Sequence, residues 1–332
     1  MAAFTHLLLS LTIISTLIII TLPISESRLS STYYSKSCPN FDKIMQETTT
    51  SKQISHPTTA GAALRLFFHD CFVTGCDAST LISSTPFNTA ERDAEINLSL
   101  PGDGFDVVVR AKAALELSCP STVSCADILA VATRNLVKFV GGPYYSLLLG
   151  RKDGLVSKSS LVKPNTLPKP KMSLDEMIDI FARNKFSVRE MVALSGGHTI
   201  GFSHCSEFAS GIYNYSSTQE FDPTYNPRLA RGLSKACSSY AKDPSLSVFN
   251  DIMTPNKFDN VYFQNLPKGF GILASDRVLS TDPRTRPIVE LYARDQNAFF
   301  SDFAKAMQKL SLVGVKTGRH GEIRRRCDAF NT

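Results

Sequence analysis

The sequence contains no tryptophan in 332 residues, and it lacks the Cys-x-x-Cys and His-Glu-x-x-His patterns of common zinc sites. It also has no internal repeat, no evident domain linker and little strand alternation, so a single, mainly α domain is expected. The net charge is +6, but the basic residues are scattered, apart from Arg324 to Arg326, and no aromatics are interleaved with them. Nucleic-acid binding is therefore not expected. A soluble basic surface is favoured, and weak attraction to acidic polysaccharide is the alternative.

Residues 7–22 are nearly all apolar and uncharged, and Pro23 and the small-residue segment 25–27 follow them. This order predicts a secretory signal peptide over residues 1–27, which leaves one domain over 28–332. No Lys or Arg precedes the apolar run, which is unusual for a signal peptide. A membrane anchor is the alternative, but the run is short for a span and no basic cluster follows it.

All eight cysteines lie after the predicted signal peptide. An even number in a secreted chain predicts four disulfides. Spacing alone supports only Cys71–Cys76 as a local bridge, and the other pairings stay open at this point.

Apolar spacing predicts helices over residues 41–71, with an interruption at 56–57, and over 105–117, 125–139 and 299–312. Capping boxes at Ser173 and Ser187 begin two further helices, the second of which runs to about Ser195. Residues 28–37 are predicted to form an extended arm and residues 83–104 a loop.

The segment 65–79 carries the densest chemistry of the chain. Arg65 and His69 lie four residues apart on a predicted helix and so share a face, where a cation beside an imidazole can serve acid–base catalysis. Oxygen-bearing side chains flank the closely spaced Cys71 and Cys76, and Gly75 permits a tight turn. They are Asp70, Asp77 and Ser79. Hard oxygen ligands on a short loop suit Ca²⁺.

Three further features stand out by residue type. His198 follows two glycines, so a large or flat group could approach it closely, although a hydrogen-bonded core histidine is an equal alternative. A second set of oxygen side chains lies on a short turn and is interpreted, taken alone, as a solvated loop; it comprises Asp251, Thr254 and Asp259. Asn214 begins an Asn-Tyr-Ser glycosylation sequon.

Taken together, these motifs resemble the secretory plant haem peroxidases (class III). The resemblance runs from Tyr33 to Cys327 and rests on several motifs in the same order, with eight cysteines in register. The motifs are the residues 64–79, 123–128, 194–201, 254–260 and 275–276.

The resemblance implies a two-lobed helical fold with one haem b between the lobes, four disulfides and little β structure. It also implies that His198 is the axial ligand of the iron and that Asp276 is the partner of its other ring nitrogen.

On the opposite side of the haem, the resemblance implies a peroxide-cleaving set. His69 would move the proton of peroxide, Asn97 would hold its other nitrogen, and Arg65 would stabilise the developing charge. Phe68 would screen the iron, and the backbone carbonyl of Pro168 would hold a phenolic donor.

Two Ca²⁺ ions are also implied. The distal ion would use Asp70, Val73, Gly75, Asp77 and Ser79, with Glu91 assisting through water. The proximal ion would use Thr199, Asp251, Thr254 and Asp259, with the carbonyl of Lys257 as a further candidate. The implied disulfides are Cys38–Cys119, Cys71–Cys76, Cys125–Cys327 and Cys205–Cys237.

Some positions depart from the family pattern. Tyr145 stands where many relatives have tryptophan, which we interpret as packing, and Asp103 replaces a common arginine without an evident consequence. Arg277 follows Asp276 where relatives often carry glutamine, and it is expected to point to solvent. Asp127 and Arg151 match a buried ion pair of the family.

The leading functional hypothesis is a monomeric, secreted cell-wall enzyme that reduces hydrogen peroxide and oxidises small phenols in one-electron steps. A non-enzymatic protein of the same fold that binds Ca²⁺ or polysaccharide is the alternative. A hydrolase using His69 with Asp70 lacks a nucleophile elbow and is disfavoured.

Overall fold

The computed structural model describes residues 29–332, so the predicted signal peptide at 1–27 lies outside the described residues. The described chain is mainly helical, which confirms the predicted class. Its helices are α1 Phe41–Ser55, α2 Thr59–Val73, α3 Gly102–Ser118, α4 Cys125–Phe139, α5 Leu174–Arg183, α6 Val188–Ser195, α7 Cys205–Ile212, α8 Pro227–Ala236, α9 Val261–Asn265, α10 Ala274–Thr281, α11 Arg286–Arg294 and α12 Gln296–Leu310. Two short strands, β1 Phe202–His204 and β2 Ser247–Phe249, pair antiparallel, with Phe202 opposite Phe249.

The helices form two packed groups. Helices α1 to α4 contact one another, and α11 contacts each of α6, α9, α10 and α12. Helix α2 of the first group also contacts the 3₁₀ turn Gly196–Thr199, which follows α6. A smaller apolar cluster lies between α7 and α8 and includes Phe208, Leu229 and Leu233. The arrangement is the two-lobed one that the resemblance implied.

The capping boxes predicted from sequence are both present. Ser173 and Ser187 each accept a hydrogen bond from the backbone N–H of the glutamate three residues on, and each glutamate side chain accepts from the backbone of its serine. These reciprocal bonds satisfy amides that have no partner inside the helix, which explains why α5 and α6 begin where they do.

The two lobes meet at a pair of glycines. A Cβ placed on Gly61 of α2 would lie 2.8 Å from the Cα of Gly201, a residue with φ +88°. Real side chains do not tolerate such a contact, so the backbone of α2 approaches the segment after His198 only because both residues lack side chains. This contact fixes the separation between the elements that carry His69 and His198.

Two local predictions were wrong. Residues 31–37 form successive turns and not an extended arm, because backbone bonds such as Ser35 N–H to Thr32 O close the chain locally. The predicted loop 83–104 contains 3₁₀ turns at Glu91–Asp93 and Glu95–Asn97, and α3 already begins at Gly102. Pro101 ends the preceding loop in an extended conformation, and its carbonyl accepts a bond from Gly104 N–H.

Asp103, for which the sequence offered no consequence, takes part in a semi-buried ion cluster. The Nζ of Lys52 lies 2.8 Å from Asp103 and 2.9 Å from Asp106, and only 4% of the Lys52 side chain is exposed. Thr58, just before α2, also donates a hydrogen bond to Asp103. The cluster therefore ties α1 and the start of α2 to α3.

The C-terminal segment closes the first lobe. Arg324 is fully buried and donates to the carbonyl oxygens of Ala78 (2.7 Å) and Gly154 (2.6 Å). Arg151 and Asp127 form a wholly buried ion pair at 2.8 Å. The four disulfides join the pairs that the resemblance implied: Cys38–Cys119, Cys71–Cys76, Cys125–Cys327 and Cys205–Cys237.

None of the helices within residues 29–332 is both long enough and apolar enough to span a membrane.

The Gly61–Gly201 contact yields a stability prediction. Gly61→Ala should lower the free energy of unfolding by about 1–3 kcal/mol, because the new methyl group must push two backbones apart. Urea unfolding of the disulfide-intact protein measures this. Gly232→Ala in α8 is the matched control, since nothing lies within 4 Å of a Cβ there, and it should stabilise by up to about 1 kcal/mol. Equal effects of the two substitutions would contradict the close contact.

Candidate active site

Helix α2 presents Arg65 and His69 on one face, as their spacing predicted. The Nε of Arg65 lies 3.4 Å from the Nε2 of His69. The guanidinium is held from the other side by Ser99, whose carbonyl oxygen and hydroxyl accept from it at 2.8 and 2.9 Å. Arg65 is thus fixed beside the imidazole and is not free to swing into solvent.

The orientation of Asn97 determines which nitrogen of His69 carries a proton. The Nδ2 of Asn97 donates to the carbonyl oxygen of Glu91 at 2.8 Å, and a carbonyl can only accept. The Oδ1 of Asn97 therefore faces the Nδ1 of His69, at 2.7 Å, and must accept its proton. In the neutral ring Nε2 is then unprotonated and available as a base.

His69 is neutral over a wide pH range. Burial lowers the pKa of His69 to about 3, the positive charge of Arg65 adds to this effect, and the hydrogen bond to Asn97 opposes it in part. A base that stays unprotonated in acid can accept a proton from a substrate at the pH of most extracellular fluids.

His198 lies in the turn Gly196–Thr199, which contacts α2. Its Nδ1 is 2.9 Å from the Oδ1 of Asp276, and 41% of its side chain is exposed. Burial lowers the pKa of His198, but the Asp276 carboxylate outweighs it, so the net shift is upward. The charge of Arg65 also lowers the pKa of His198.

The two glycines before His198 are also required by packing, which the sequence did not predict. A Cβ on Gly196 would lie 2.4 Å from the ring of Phe299, and one on Gly197 would lie 3.2 Å from Leu64. Core packing, and not only the approach of a flat group, therefore requires Gly196.

Comparison with known proteins decides the family. The family model described as Peroxidase matches residues 43–295. The chain belongs to the peroxidase family. It is 67% identical to Peroxidase 63 of Arabidopsis thaliana over 307 residues, which are 92% of this chain and 92% of that protein. It is also 62% identical to Peroxidase 31 of the same plant, over 92% of this chain and 95% of the relative.

Membership makes the chain a haem peroxidase, an enzyme that reduces hydrogen peroxide at the expense of a donor. The residues described above fit a haem between the lobes. Asp276 holds one ring nitrogen of His198, and the other makes no hydrogen bond within residues 29–332, so it is available to a metal. Arg65 and His69 lie side by side on α2, which contacts the turn that carries His198.

Arg277 of this peroxidase is buried, so the expectation that it points to solvent was wrong. Its guanidinium lies 2.8 Å from Asp222, donates to the carbonyl oxygen of Ile272 and stacks 3.7 Å from the centre of the Tyr225 ring. These partners draw Arg277 away from Asp276. The competition for Asp276 that an inward Arg277 threatened is therefore avoided.

The predicted distal calcium residues cluster between α2 and the Glu91–Asp93 turn. Asp70 accepts from the backbone N–H of Ala78 at 2.9 Å, and Glu91 accepts from the hydroxyl of Ser79 at 3.0 Å. Burial, followed by the charges of Asp77 and Glu91, raises the pKa of Asp70. Burial also raises the pKa of Glu91 to about 7, although hydrogen bonds from Thr80 and Ser79 oppose the shift.

Within residues 29–332, the acidic side chains of this cluster form one long ion pair, in which the Nζ of Lys316 lies 3.9 Å from Asp77. Val73 ends α2 at the edge of the cluster, and the carbonyl of Gly75 accepts from Asp77 N–H at 2.8 Å. Three buried carboxyl groups repel one another when they are ionised, and a bound divalent cation would offset that repulsion.

The predicted proximal calcium residues also converge. The hydroxyl of Thr254 lies 3.1 Å from Asp259 and 3.3 Å from Asp251, and the hydroxyl of Thr199 lies 3.3 Å from the carbonyl oxygen of Lys257. The Oδ2 of Asp259 is buried and accepts no hydrogen bond within the described chain, although the Nζ of Lys257 is 3.3 Å away. An acceptor oxygen left without a donor fits a cation ligand.

No group of three His, Cys, Asp or Glu side chains in the part of the chain that the structure describes has the arrangement of a metal site. The predicted distal set includes three such side chains, Asp70, Asp77 and Glu91, so these carboxyl groups lie near one another without forming a preformed metal site, and both Ca²⁺ ions stay predictions.

The remaining predicted residues lie around this centre. Phe68 is half-buried on α2, and its ring stacks on Phe72 at 4.1 Å. Pro168 is half-buried in the loop between α4 and α5. Asn214 is exposed after α7, at φ +49°.

Sequence reasoning missed two site residues. Ser99, which anchors Arg65, was assigned no role from the sequence, because a serine in a loop carries no signal of its own. Tyr262, whose hydroxyl donates to Asp276 at 2.9 Å, carries no charge or motif that could have signalled a role.

The raised pKa of Glu91 predicts an unusual pH dependence for the calcium-free protein. Between its unfolded value of 4.5 and its folded value of about 7, the folded state holds a proton that the unfolded state has lost. The free energy of unfolding should therefore fall as pH rises through this window, by about 3 kcal/mol for this one group. Urea unfolding in chelator at several pH values measures the slope.

Glu91→Gln should make that decline smaller, whereas Glu47→Gln on the exposed face of α1 should leave it unchanged. Adding Ca²⁺ to the wild type at neutral pH should restore the lost stability. A stability that rises from pH 4.5 to 7 in chelator would contradict the assignment.

Proposed function

We propose that this peroxidase is a secreted enzyme that oxidises small phenolic donors with hydrogen peroxide. Arg65, His69 and Asn97 would act on peroxide, while His198, supported by Asp276, would hold the iron. The observation that carries the proposal is the hydrogen bond from His69 Nδ1 to Asn97 Oδ1, because it leaves Nε2 as an unprotonated base.

The proton transfers follow from this tautomer. His69 Nε2 takes a proton from one oxygen of peroxide and returns it to the other oxygen, which leaves as water. Arg65, fixed by Ser99, stabilises the negative charge that develops as the O–O bond breaks. The haem, when bound, supplies the redox-active iron and holds the two oxidising equivalents of peroxide.

Two phenols complete the reaction, since each gives one electron and one proton and leaves as a radical. One peroxide and two phenols thus yield two waters and two phenoxyl radicals. We propose that the carbonyl of Pro168 accepts the phenol O–H and that Phe68 keeps larger molecules from the iron. Both residues are half-buried, Phe68 on α2 one position before His69 and Pro168 in the loop between α4 and α5, so neither is closed off from a small molecule.

We further propose two Ca²⁺ ions. Asp70, Asp77, Ser79 and Glu91, with the carbonyls of Val73 and Gly75, would hold the distal ion. Thr199, Asp251, Thr254 and Asp259 would hold the proximal ion. The clustered buried carboxyl groups support the first, and the buried Oδ2 of Asp259, which accepts no hydrogen bond within the described chain, supports the second.

We also propose where this peroxidase is located and what it binds. The apolar residues 7–22, the exposed sequon at Asn214 and the four disulfides support secretion. The chain is proposed to act as a monomer in the plant cell wall and to bind acidic polysaccharide weakly through its net charge of +6. The non-enzymatic alternative is not favoured, because the relatives are named peroxidases.

The role of His69 predicts a large loss on its removal. His69→Ala should lower the rate of guaiacol oxidation by about 10²–10⁴-fold, the usual share of general acid–base catalysis. His56→Ala, which removes an exposed imidazole at the end of α1, is the matched control and should keep full activity. Haem absorbance of each variant separates loss of catalysis from loss of haem. A fully haem-loaded His69→Ala variant with wild-type rates would refute the proposed role.

Two exposed lysines next to Pro168 predict a preference for anionic donors. Lys169 and Lys171 should attract hydroxycinnamates with a free carboxylate over the neutral alcohols, and salt should weaken the preference. The measurement is the ratio of kcat/KM for such a pair at low and high salt. Replacing both lysines by glutamine should bring the ratio close to its high-salt value, whereas Lys43→Gln on α1 should not. A salt-independent ratio in the wild type would show that these lysines do not select the donor.

A further inference from the structure

Tyr262 contacts the partner of the proposed axial histidine. It lies on α9 with 2% of its surface exposed, and its hydroxyl donates to the Oδ1 of Asp276 at 2.9 Å. The Nδ1 of His198 lies 2.9 Å from the same oxygen. The Tyr262 ring stands edge-on to the imidazole, with 6.3 Å between the ring centres. One carboxylate oxygen therefore serves two donors.

The other residues near Asp276 do not compete with these two donors for its carboxylate. Asp276 lies in the first turn of α10 and is buried. The cation next to it in the chain, Arg277, is committed to Asp222 and to the backbone of Ile272. Among residues 29–332, the Asp276 side chain accepts hydrogen bonds from His198 and Tyr262 alone.

Two donors on one oxygen compete. A hydrogen bond from Tyr262 draws electron density from Oδ1, so that Oδ1 pulls less strongly on the Nδ1 proton of His198. The strength of that pull sets how much imidazolate character the histidine has, and hence how strongly it donates electrons to a bound metal. Tyr262 is placed to weaken this donation.

We propose that Tyr262 is a positioning residue that limits the pull of Asp276 on His198 and so tunes the reduction potential of the iron. The inference rests on the proposed role of His198 as axial ligand. It adds that the strength of the hydrogen bond from residue 262 determines how strongly Asp276 pulls on the Nδ1 proton of His198. A weaker donor at that position should increase the pull, and a stronger donor should decrease it.

The test removes the hydroxyl and keeps the ring. Tyr262→Phe should strengthen the Asp276–His198 bond, raise the iron–histidine stretching frequency in resonance Raman spectra and stabilise the ferric over the ferrous state. We expect a change of up to about tenfold in that equilibrium, which is a shift of about −59 mV for one electron. Tyr292→Phe is the matched control, because it removes a similar bond from a buried tyrosine to Asp302 (2.7 Å). The control should leave both readouts unchanged.

A second variant keeps the test decisive if the phenylalanine disturbs folding. 3-Fluorotyrosine at position 262 is a stronger donor of almost the same size, so both readouts should move the opposite way. Shifts of opposite sign in the two variants support the inference. An unchanged potential in either variant, or equal shifts in Tyr262→Phe and Tyr292→Phe, would overturn it.

The readouts need bound haem but no turnover, so a failure of the proposed donor chemistry would not be mistaken for a failure of this inference. In haem-free protein, the Nδ1–H proton resonance of His198 should move downfield in Tyr262→Phe, as expected of a stronger hydrogen bond. A resonance that stays in place or moves upfield would count against the inference even without the cofactor.

Discussion

The hydrogen bond between His69 and Asn97 is the interaction on which the rest of the site depends. It selects the tautomer that leaves Nε2 as a base, and it is itself fixed by the bond from Asn97 to the carbonyl of Glu91. The carboxyl group of Glu91 in turn accepts from Ser79 in the acidic cluster. Glu91 therefore joins the base to the proposed distal calcium loop, through its backbone carbonyl on one side and its carboxyl group on the other, and a displacement of Glu91 is expected to reach His69 through Asn97.

The opposite lobe repeats this design with a charged partner. Asp276 holds His198 as Asn97 holds His69, but the carboxylate raises the pKa of its histidine, whereas burial and a neighbouring cation lower that of His69. One imidazole can thus act as a free base while the other is suited to donate electrons to a metal. The glycine contact between Gly61 and Gly201 sets the distance between these two environments.

Much of this was predictable because the signals are local. Helix spacing, the capping boxes at Ser173 and Ser187, and the pairing of Arg65 with His69 each depend on residues within a few positions. Arg277 was mispredicted because its partner Asp222 is distant in sequence and no local pattern reveals it. The same holds for Lys52 with Asp103 and for Tyr262 with Asp276. The family resemblance supplied roles for single residues, but only the structure supplied the contacts that hold them in place.

The tautomer of His69 can be observed directly. In protein labelled with ¹⁵N-histidine, the resonances that are absent from His69→Ala belong to this ring. We predict a neutral ring with a protonated Nδ1 and an unprotonated Nε2 at about pH 5, where an ordinary histidine is mostly charged. A charged ring at that pH, or a neutral ring protonated at Nε2, would contradict the account, because no base would then face the peroxide.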